Sequence, residues 1–398
     1  MDKVTVCSSC DLIVKLDEHD QYCPRCGKKL LSTKNPVNSD IAVVSVSAII
    51  FLIISIVEPY MSINSMGLTA NMSLLSIVDI LEKQWGGLLY CFLFFTFFAP
   101  LYVLVTIFCT CGLKFKPNVL VGKIYSFNHK MCMVDVFILG IIVSLVKLTS
   151  LAEVVFYTGF YTSFIFSILL LWCCINYKPE KLWNEIKPQE KIDLNVGDNA
   201  KDQQVKCCHE CGYIYKSTNA VDTCPRCKAK NEYRISNSIV KSCCLLIAAL
   251  IFYLPSNLYP VMYTEFLFRT TGSNIIDGVV AMWEMNSYFV AIVILVASIF
   301  IPAFKILSLG YILYVSSKAN TYNKLKLSKL YRCVLFIGRW SLIDVYVVII
   351  MSSIVRIGGI LTIYPGFAIV CFCSVVLITI FSAESFDERL IWDDKNEK

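Results

Sequence analysis

The sequence predicts an all-α polytopic membrane protein of eight transmembrane helices in two parallel four-helix repeats, each preceded by a small cytoplasmic zinc ribbon of β type. Three observations lead there. Hydrophobic residues make up 57% of the 398 and charged residues only 17%, with a mean hydropathy of +0.64. Soluble domains run near ~45–50% apolar and ~25% charged, and disorder needs low hydrophobicity, so the composition argues against both. Long apolar runs recur at lengths that cross a bilayer. A paired Cys-x-x-Cys pattern occurs twice, each time ahead of four such runs. The net charge of +6 is too mild to suggest nucleic acid as a partner.

Residues 1–35 form the first ribbon. Cys7-x-x-Cys10, twelve residues, then Cys23-Pro-Arg-Cys26 is a zinc-ribbon pattern. Cys208-x-x-Cys211, twelve residues, then Cys224-Pro-Arg-Cys227 gives the second, within 205–235, at identical spacing. Two knuckles so spaced hold four thiolates tetrahedrally at ~2.3 Å from one Zn²⁺. The segment between them is too small to fold without metal, so two structural Zn²⁺ sites are expected. Four cysteines leave no open position for water, which argues against hydrolysis. A rubredoxin-like iron centre uses the same ligands, and a redox dithiol pair is the remaining alternative. The other twelve of the twenty cysteines lie mostly in apolar runs, where a thiol acts as a small hydrophobe. The chain also lacks the short, loop-rich plan of a secreted disulfide scaffold. Neither ribbon carries a dense basic stripe, so both read as a docking or regulatory platform.

The first membrane unit, 40–176, holds apolar runs at about 40–57, 88–111, 131–149 and 155–176. A linker, 177–204, and the second ribbon lead into the second unit, 238–382, with runs at 238–254, 288–315, 340–357 and 364–382, and a tail, 383–398. About 20 residues at 1.5 Å rise cross ~30 Å of hydrocarbon. The first run follows a long polar, cysteine-bearing stretch, so no cleavable signal is read there. Thirty of the 36 Lys and Arg residues fall in 1–39, 112–130, 177–237, 316–339 and 383–398. Only Lys83 and Arg269 fall in the intervening loops. Positive residues stay inside, so both termini, both ribbons and the linker are expected in the cytoplasm. Leu74, Leu75, Ile77, Val78, Ile80 and Leu81, and in the second unit Ile275, Ile276, Val279, Val280, Met282 and Trp283, each fit a short helix in the outer interface or a packing segment.

The halves match in register. All four ribbon cysteines and Pro59 recur 201 residues later, at Cys208, Cys211, Cys224, Cys227 and Pro260, and Pro100 recurs at Pro302. Met133-Val-Asp135-Val-Phe137 matches Leu342-Ile-Asp344-Val-Tyr346, and Lys147 falls on Arg356. Each half begins and ends inside, so the repeats are parallel, as in some transporters and also in scaffolds.

Ionisable residues within spans are costly and usually face a cavity or a partner. Lys305 and Asp344 both fall in the inner-leaflet half of their spans. Ser341 shares a helical face with Asp344, Ser298 shares one with Lys305, and Thr379 lies near the inner end of the last span. One reading is a structural ion pair with a partly snorkelling lysine. The other is a polar site inside the bundle, either for a lipid head group or for a proton relay. The position matching Lys305 is near Val103, so such a site is asymmetric. Lys147 and Arg356 sit near outer span ends, as interface anchors or as contacts for phospholipid or an outer partner. No P-loop, H-E-x-x-H or G-x-S-x-G motif is present, and nothing suggests an enzyme.

Several segments together resemble the paraquat-inducible protein A family: Tyr253-Leu-Pro-Ser-Asn-Leu-Tyr-Pro260, Pro302-Ala-Phe-Lys305, Gly338-Arg-Trp-Ser-Leu-Ile-Asp-Val-Tyr346, Val355-Arg-Ile-Gly-Gly359, Ile363-Tyr-Pro365 and Phe381-Ser-Ala-Glu-Ser-Phe-Asp387, with the doubled cysteine modules. The resemblance covers essentially the whole chain. It implies a bacterial inner-membrane protein that exchanges phospholipid with a periplasm-spanning MCE-domain tunnel partner. Lys305, Ser341 and Asp344 fall inside the family's motifs. The other readings are a scaffold that anchors the MCE protein without moving lipid, and a metal- or redox-responsive membrane protein.

Overall fold

The computed structural model describes residues 3–16, 21–31, 38–65, 68–73, 86–148, 153–190, 192–219, 221–266, 269–284, 288–318, 323–354, 356–357 and 361–393, with the single residues 78, 82 and 286. The first cysteine module is two antiparallel pairs, β1 (Lys3–Val6) with β2 (Ile13–Leu16) and β3 (Gln21–Tyr22) with β4 (Lys29–Leu31). Helix α1 (Asn38–Val57) carries a single charged residue, Asp40 in its first turn, which meets the positive end of the helix dipole. Its 20 residues carry the chain about 30 Å to a hairpin of β5 (Met61–Ser65) and β6 (Leu68–Met72). Helix α2 (Gly86–Cys111) returns, and α3 (Val119–Met131) and α4 (Val134–Leu148) follow, interrupted at Cys132 and Met133. Strand β7 (Glu153–Phe156) joins β5 to make a three-stranded sheet ordered β6-β5-β7. Helix α5 (Thr158–Asn176) then leads to the short α6 (Pro179–Ile186), which starts on a proline, as helices often do.

The second module pairs β8 (Val205–Cys207) with β9 (Ile214–Lys216) and β10 (Val221–Thr223) with β11 (Lys230–Glu232). Helix α7 (Ser238–Leu258) is followed by the hairpin β12 (Met262–Phe266) and β13 (Arg269–Ser273), then α8 (Ile275–Glu284). A long helix α9 spans residues 288–318. Helix α10 (Lys324–Trp340) breaks at Ser341 and Leu342 before α11 (Ile343–Ile354). Strands β14 (Arg356–Ile357) and β15 (Leu361–Pro365) complete a four-stranded sheet ordered β13-β12-β15-β14. Helix α12 (Phe367–Ser385) and a 3₁₀ turn at Glu388–Ile391 end the described chain.

Among the described residues, seven helical stretches are long and apolar enough to cross a membrane: α1, α2, Val119–Val143, α5, α7, Ala291–Lys318 and α12. The run expected at 340–357 divides instead into α11, of 12 residues, and β14. The expected 131–149 helix is broken at its inner end in the same way. The membrane part is also not purely α. Residues 153–156 and 361–365, expected as helix ends or loops, are strands. Backbone that leaves the hydrocarbon can hydrogen-bond sideways, whereas inside it only a helix satisfies itself. Residues 275–284 form the expected short helix. Of the matching first-half segment only Val78 is described; Leu74, Leu75, Ile77, Ile80 and Leu81 lie outside the described residues.

Small residues set the packing. The outer pair of helices in each half lie side by side, α1 on α5 and α7 on α12. The Ser242 hydroxyl donates to the Ser382 carbonyl and that of Ser382 to the Ser242 carbonyl, both at 2.8 Å, which locks α7 to α12 at close range. The halves meet where α4 packs on α11: a Cβ on Gly140 would lie 2.8 Å from Tyr346 Cβ. The start of α12 is tightest of all, since a Cβ on Gly366 would stand 2.2 Å from the Pro260 carbonyl oxygen, a backbone atom that cannot rotate away. Gly366→Ala is therefore expected to cost about 2 kcal/mol or more and to lower the melting temperature of the purified protein. Gly86→Ala, where nothing stands within 4 Å, should leave it unchanged.

Candidate functional site

Each cysteine module brings its four sulfurs together, all within 4.8 Å of one another. The closest pairs are Cys7–Cys26 at 3.6 Å, Cys10–Cys23 at 3.5 Å, Cys208–Cys227 at 3.5 Å and Cys211–Cys224 at 3.6 Å. A disulfide needs ~2.05 Å. Four thiolates at ~2.3 Å from one tetrahedral ion stand roughly 3.8 Å apart, so both groups fit a metal ion. The knuckles share one backbone device. The residue after each second cysteine is left-handed: Asp11 (φ 57°), Gly27 (φ 69°), Gly212 (φ 69°) and Lys228 (φ 56°). Its amide donates to the first cysteine's carbonyl at 2.8–2.9 Å.

The modules dock crosswise. The second packs its four cysteines against Trp183 of α6, and Arg226 donates to Asn184 at 2.8 Å. Trp183 in turn donates to Ser126 of α3 at 3.0 Å. The second module thus sits on the first half. The first module packs on Trp392 in the tail, and Arg332 of α10 donates to the Cys26 carbonyl at 2.6 Å, so it sits on the second half. The two modules also touch each other: Val6 and Ile13 share an apolar cluster with Ala200, Val205 and Ile214.

In the membrane part, Lys305 of α9 is 1% exposed, and its Nζ has no hydrogen-bond partner among the described residues. A Cβ on Gly338 of α10 would lie 3.9 Å from that Nζ and 3.8 Å from Ile380 of α12. The ammonium therefore stands where three helices meet. Ser341, one turn beyond Gly338, is buried, and its hydroxyl also has no partner among the described residues. Thr379, beside Ile380, is buried and donates to the Val376 carbonyl at 2.8 Å. Ser298 is buried in a π-turn one helical stretch before Lys305. Asp344 begins α11, Lys147 lies in the last turn of α4 and Arg356 in β14; the side chains of these three are outside the described set. Val103, at the first-half position matching Lys305, is fully buried.

A family model described as paraquat-inducible protein A matches residues 39–187 and 239–396. The chain is also 31% identical to the intermembrane transport protein PqiA of Escherichia coli K12, over 99% of this chain and 97% of the relative. This chain belongs to the paraquat-inducible protein A family. It is 24% identical to the lipophilic envelope-spanning tunnel protein A of Escherichia coli K12, over 97% of this chain and 90% of the relative. It is 26% identical to a probable intermembrane transport protein of Haemophilus influenzae Rd, over 98% and 96%. No solved structure matches. With seven apolar helices among its described residues, this family member is a multi-pass membrane protein.

The tail segment that carries part of the family resemblance, Phe381 to Asp387, ends in an ion cluster. Asp387 accepts from Arg389 at 2.9 Å and from the Ile235 amide at 3.1 Å, while its own amide donates to Ser238 at 2.7 Å. Arg234, just before α7, pairs with Asp393 at 2.6 Å and with Asp11 of the first module. Arg389 Nη1 stands 3.5 Å from Asp11, and Arg389 Nη2 stands 2.7 Å from His209 in the second module.

Two site features escaped the sequence reading. One is the pair of π-turns at Phe94–Phe98 and Val296–Phe300, in which Thr96, and Ser298 already singled out above, each stand four residues before a proline, Pro100 and Pro302. Proline offers no N–H to the carbonyl four residues earlier, so the ladder loosens there, and both hydroxyl residues are buried at that spot. The [Ser/Thr]-x-x-x-Pro spacing was the available signal. The docking residues Trp183, Arg332 and Trp392 carried none.

Burial works to raise the Asp387 carboxyl, but the Arg389 charge outweighs it and holds the group below its ordinary value. A lowered carboxyl contributes stability above the ordinary carboxylate pKa and loses it as pH falls through its own. Asp387→Asn should therefore cost about 3 kcal/mol at neutral pH, as expected when one partner of a buried pair is removed. The melting-temperature gap between parent and variant should close below about pH 4. A gap that persists unchanged to pH 3 would show that the charge is not what holds the tail.

Proposed function

We propose that this protein is the inner-membrane component of an intermembrane phospholipid transport system, acting without catalysis and exchanging lipid with a periplasm-spanning MCE-domain tunnel protein. The observation that carries the reading is the buried ammonium of Lys305 among helices α9, α10 and α12. Burying a cation with no partner costs several kcal/mol, and such a group in a membrane bundle is usually functional. The relatives' names, intermembrane transport protein and lipophilic envelope-spanning tunnel protein, agree with it.

In this reading Lys305, Ser341, Asp344, Ser298 and Thr379 line a polar path for the lipid head group, and Lys147 and Arg356 contact lipid or the partner at the outer face. The tilt of Lys and Arg toward the ribbon side supports a cytoplasmic location for both termini and both ribbons. Eight spans then follow, with α11 as the short seventh. The family match over two separate segments supports two parallel repeats, 40–176 and 238–382, behind ribbons 1–35 and 205–235, with 177–204 as linker and 383–398 as tail. The π-turns 202 residues apart, each just before a proline, agree with it.

A photo-crosslinking residue at Ser341 in living cells should yield a phospholipid adduct by mass spectrometry, several-fold weaker in Asp344→Ala. No adduct, with bilayer-facing positions labelling normally, would replace this reading with that of a non-transporting anchor for the MCE protein. If Asp344→Asn sustains full transport, Asp344 carries no proton.

Each ribbon is proposed to hold one structural Zn²⁺, through Cys7, Cys10, Cys23 and Cys26, and through Cys208, Cys211, Cys224 and Cys227. A closed set of four thiolates suits Zn²⁺ and supplies folding energy rather than a reactive position. The purified protein should contain two zinc ions per chain and be colourless, and Cys227→Ser should contain one. A red protein would mean iron–thiolate centres instead.

A further inference from the structure

A cavity of about 1150 Å³ lies between the first half of the bundle, the end of α12 and the face of the second module. It is separate from the surroundings of Lys305, and it borders the second cysteine quartet at Cys208 and Cys211 and the docking residue Trp183. One wall is apolar and exposed: Phe127 of α3, Leu171 and Ile175 of α5, and Phe381 of α12. These residues sit on helices that run on into the bilayer. Beside them stand the exposed lysines Lys123 and Lys130 of α3 and Lys178 at the entrance to α6. Among the described residues none of the three ammonium groups has a hydrogen-bond or ion-pair partner. Asp135 and Glu384 line the same space. The roof is protein: His209, Glu210 and Gly212 of the second module.

We propose that this cavity is a docking site for a glycerophospholipid from the ribbon-side leaflet, its phosphate held by Lys123, Lys130 and Lys178 and its acyl chains along the Phe127–Leu171–Ile175–Phe381 wall. Three features select that occupant. Unpaired cations next to an apolar wall match a molecule that is anionic at one end and aliphatic at the other. Basic pockets between helices on the inner side of a membrane are a known way to hold phosphate head groups. The volume exceeds that of ordinary small-ligand pockets, which run to ~1000 Å³. Asp135 and Glu384 add places for a head-group ammonium, which favours a zwitterionic lipid. The occupancy stands on this geometry alone. Its purpose rests on the transport reading: the first half, with Val103 in place of a buried cation, would take lipid up beside the ribbon, and the second half would pass it on.

The test uses the full-length protein in non-ionic detergent and native mass spectrometry. Dioleoyl-phosphatidylethanolamine should bind at least about tenfold more tightly than dioleoylglycerol, which has the same chains and no phosphate. At roughly fivefold per lysine near a charged surface, Lys123→Glu/Lys130→Glu should lower phospholipid affinity by tenfold or more. Lys123→Gln/Lys130→Gln should give an intermediate loss, which separates charge from misfolding. Equal binding by parent and charge-reversed variant overturns the proposal. So does displacement of the lipid by sn-glycerol 3-phosphate at comparable concentration, which would mark a site for a soluble phosphate. A photo-crosslinker at Glu180, which lines the cavity outside the long helices, should yield a phospholipid adduct lost in the charge-reversed variant. A crosslinker at bilayer-facing Leu250 should label equally in both. An adduct at Ser341 but none at Glu180 would sink this site and leave the transport reading standing; the reverse would do the opposite.

Discussion

The ion cluster of Asp11, Arg234, Asp387, Arg389 and Asp393 is the constraint on which the ribbon side of the molecule depends. Its members come from the first module, the entrance to α7 and the tail, and His209 brings in the second module. Pairs taken this far out of water gain little net stability, but removing one partner strands the others. The cluster therefore specifies an arrangement more than it adds energy. What it specifies is the crossing of the modules, the first on the second half through Arg332 and Trp392, the second on the first half through Trp183. A chain of modules each lying under its own bundle would leave the halves joined mainly by α4 and α11. Crossing them adds a second tie on the ribbon side.

The membrane part has a different logic. Its close contacts are made by Gly140, Gly366, Ser242 and Ser382, residues small enough to let helix backbones approach. Against that tightly packed background the π-turns at Phe94–Phe98 and Val296–Phe300 are local relaxations, each beside a proline and each burying a hydroxyl. Only the second leads on to a buried cation, at Lys305; the first leads to Val103. The two halves share a backbone plan and differ in polarity at its centre.

Much of this was legible in the sequence, and the illegible parts have a common cause. The cysteine groups were readable because metal coordination imposes spacing along the chain, and the structure gathers each predicted quartet within 4.8 Å. Span lengths were readable because hydrocarbon thickness sets them. The break at Ser341 and Leu342 was hidden because Trp340 through Ile354 reads as one apolar run. The strands β7 and β15 were hidden because their partners, β5 and β12, lie some ninety to a hundred residues away. The crossed docking was hidden for the same reason: Arg332 and Cys26 are 306 positions apart, and no local pattern pairs them. Lys305 was read as lying inside a span, in an ion pair or a polar site, but nothing in its neighbours along the chain announced that Gly338 of α10 and Ile380 of α12 would flank each other beside it.

The metal groups and the membrane cation connect through this crossing. If each quartet holds a metal, a closed four-thiolate centre would act mechanically, through what packs on it. Losing the metal from the second module would release Trp183, which packs on those cysteines and reaches α3 through Ser126. Losing it from the first would release the Cys26 carbonyl from Arg332, on the same helix as Gly338. Each module thus bears on a helix of the half it does not precede. The second bears on α3, which lines the cavity beneath the first half. The first bears on α10, which walls Lys305. The modules are placed to hold the positions of these two helices, and through them the shape of the cavity beside α3 and of the surroundings of Lys305.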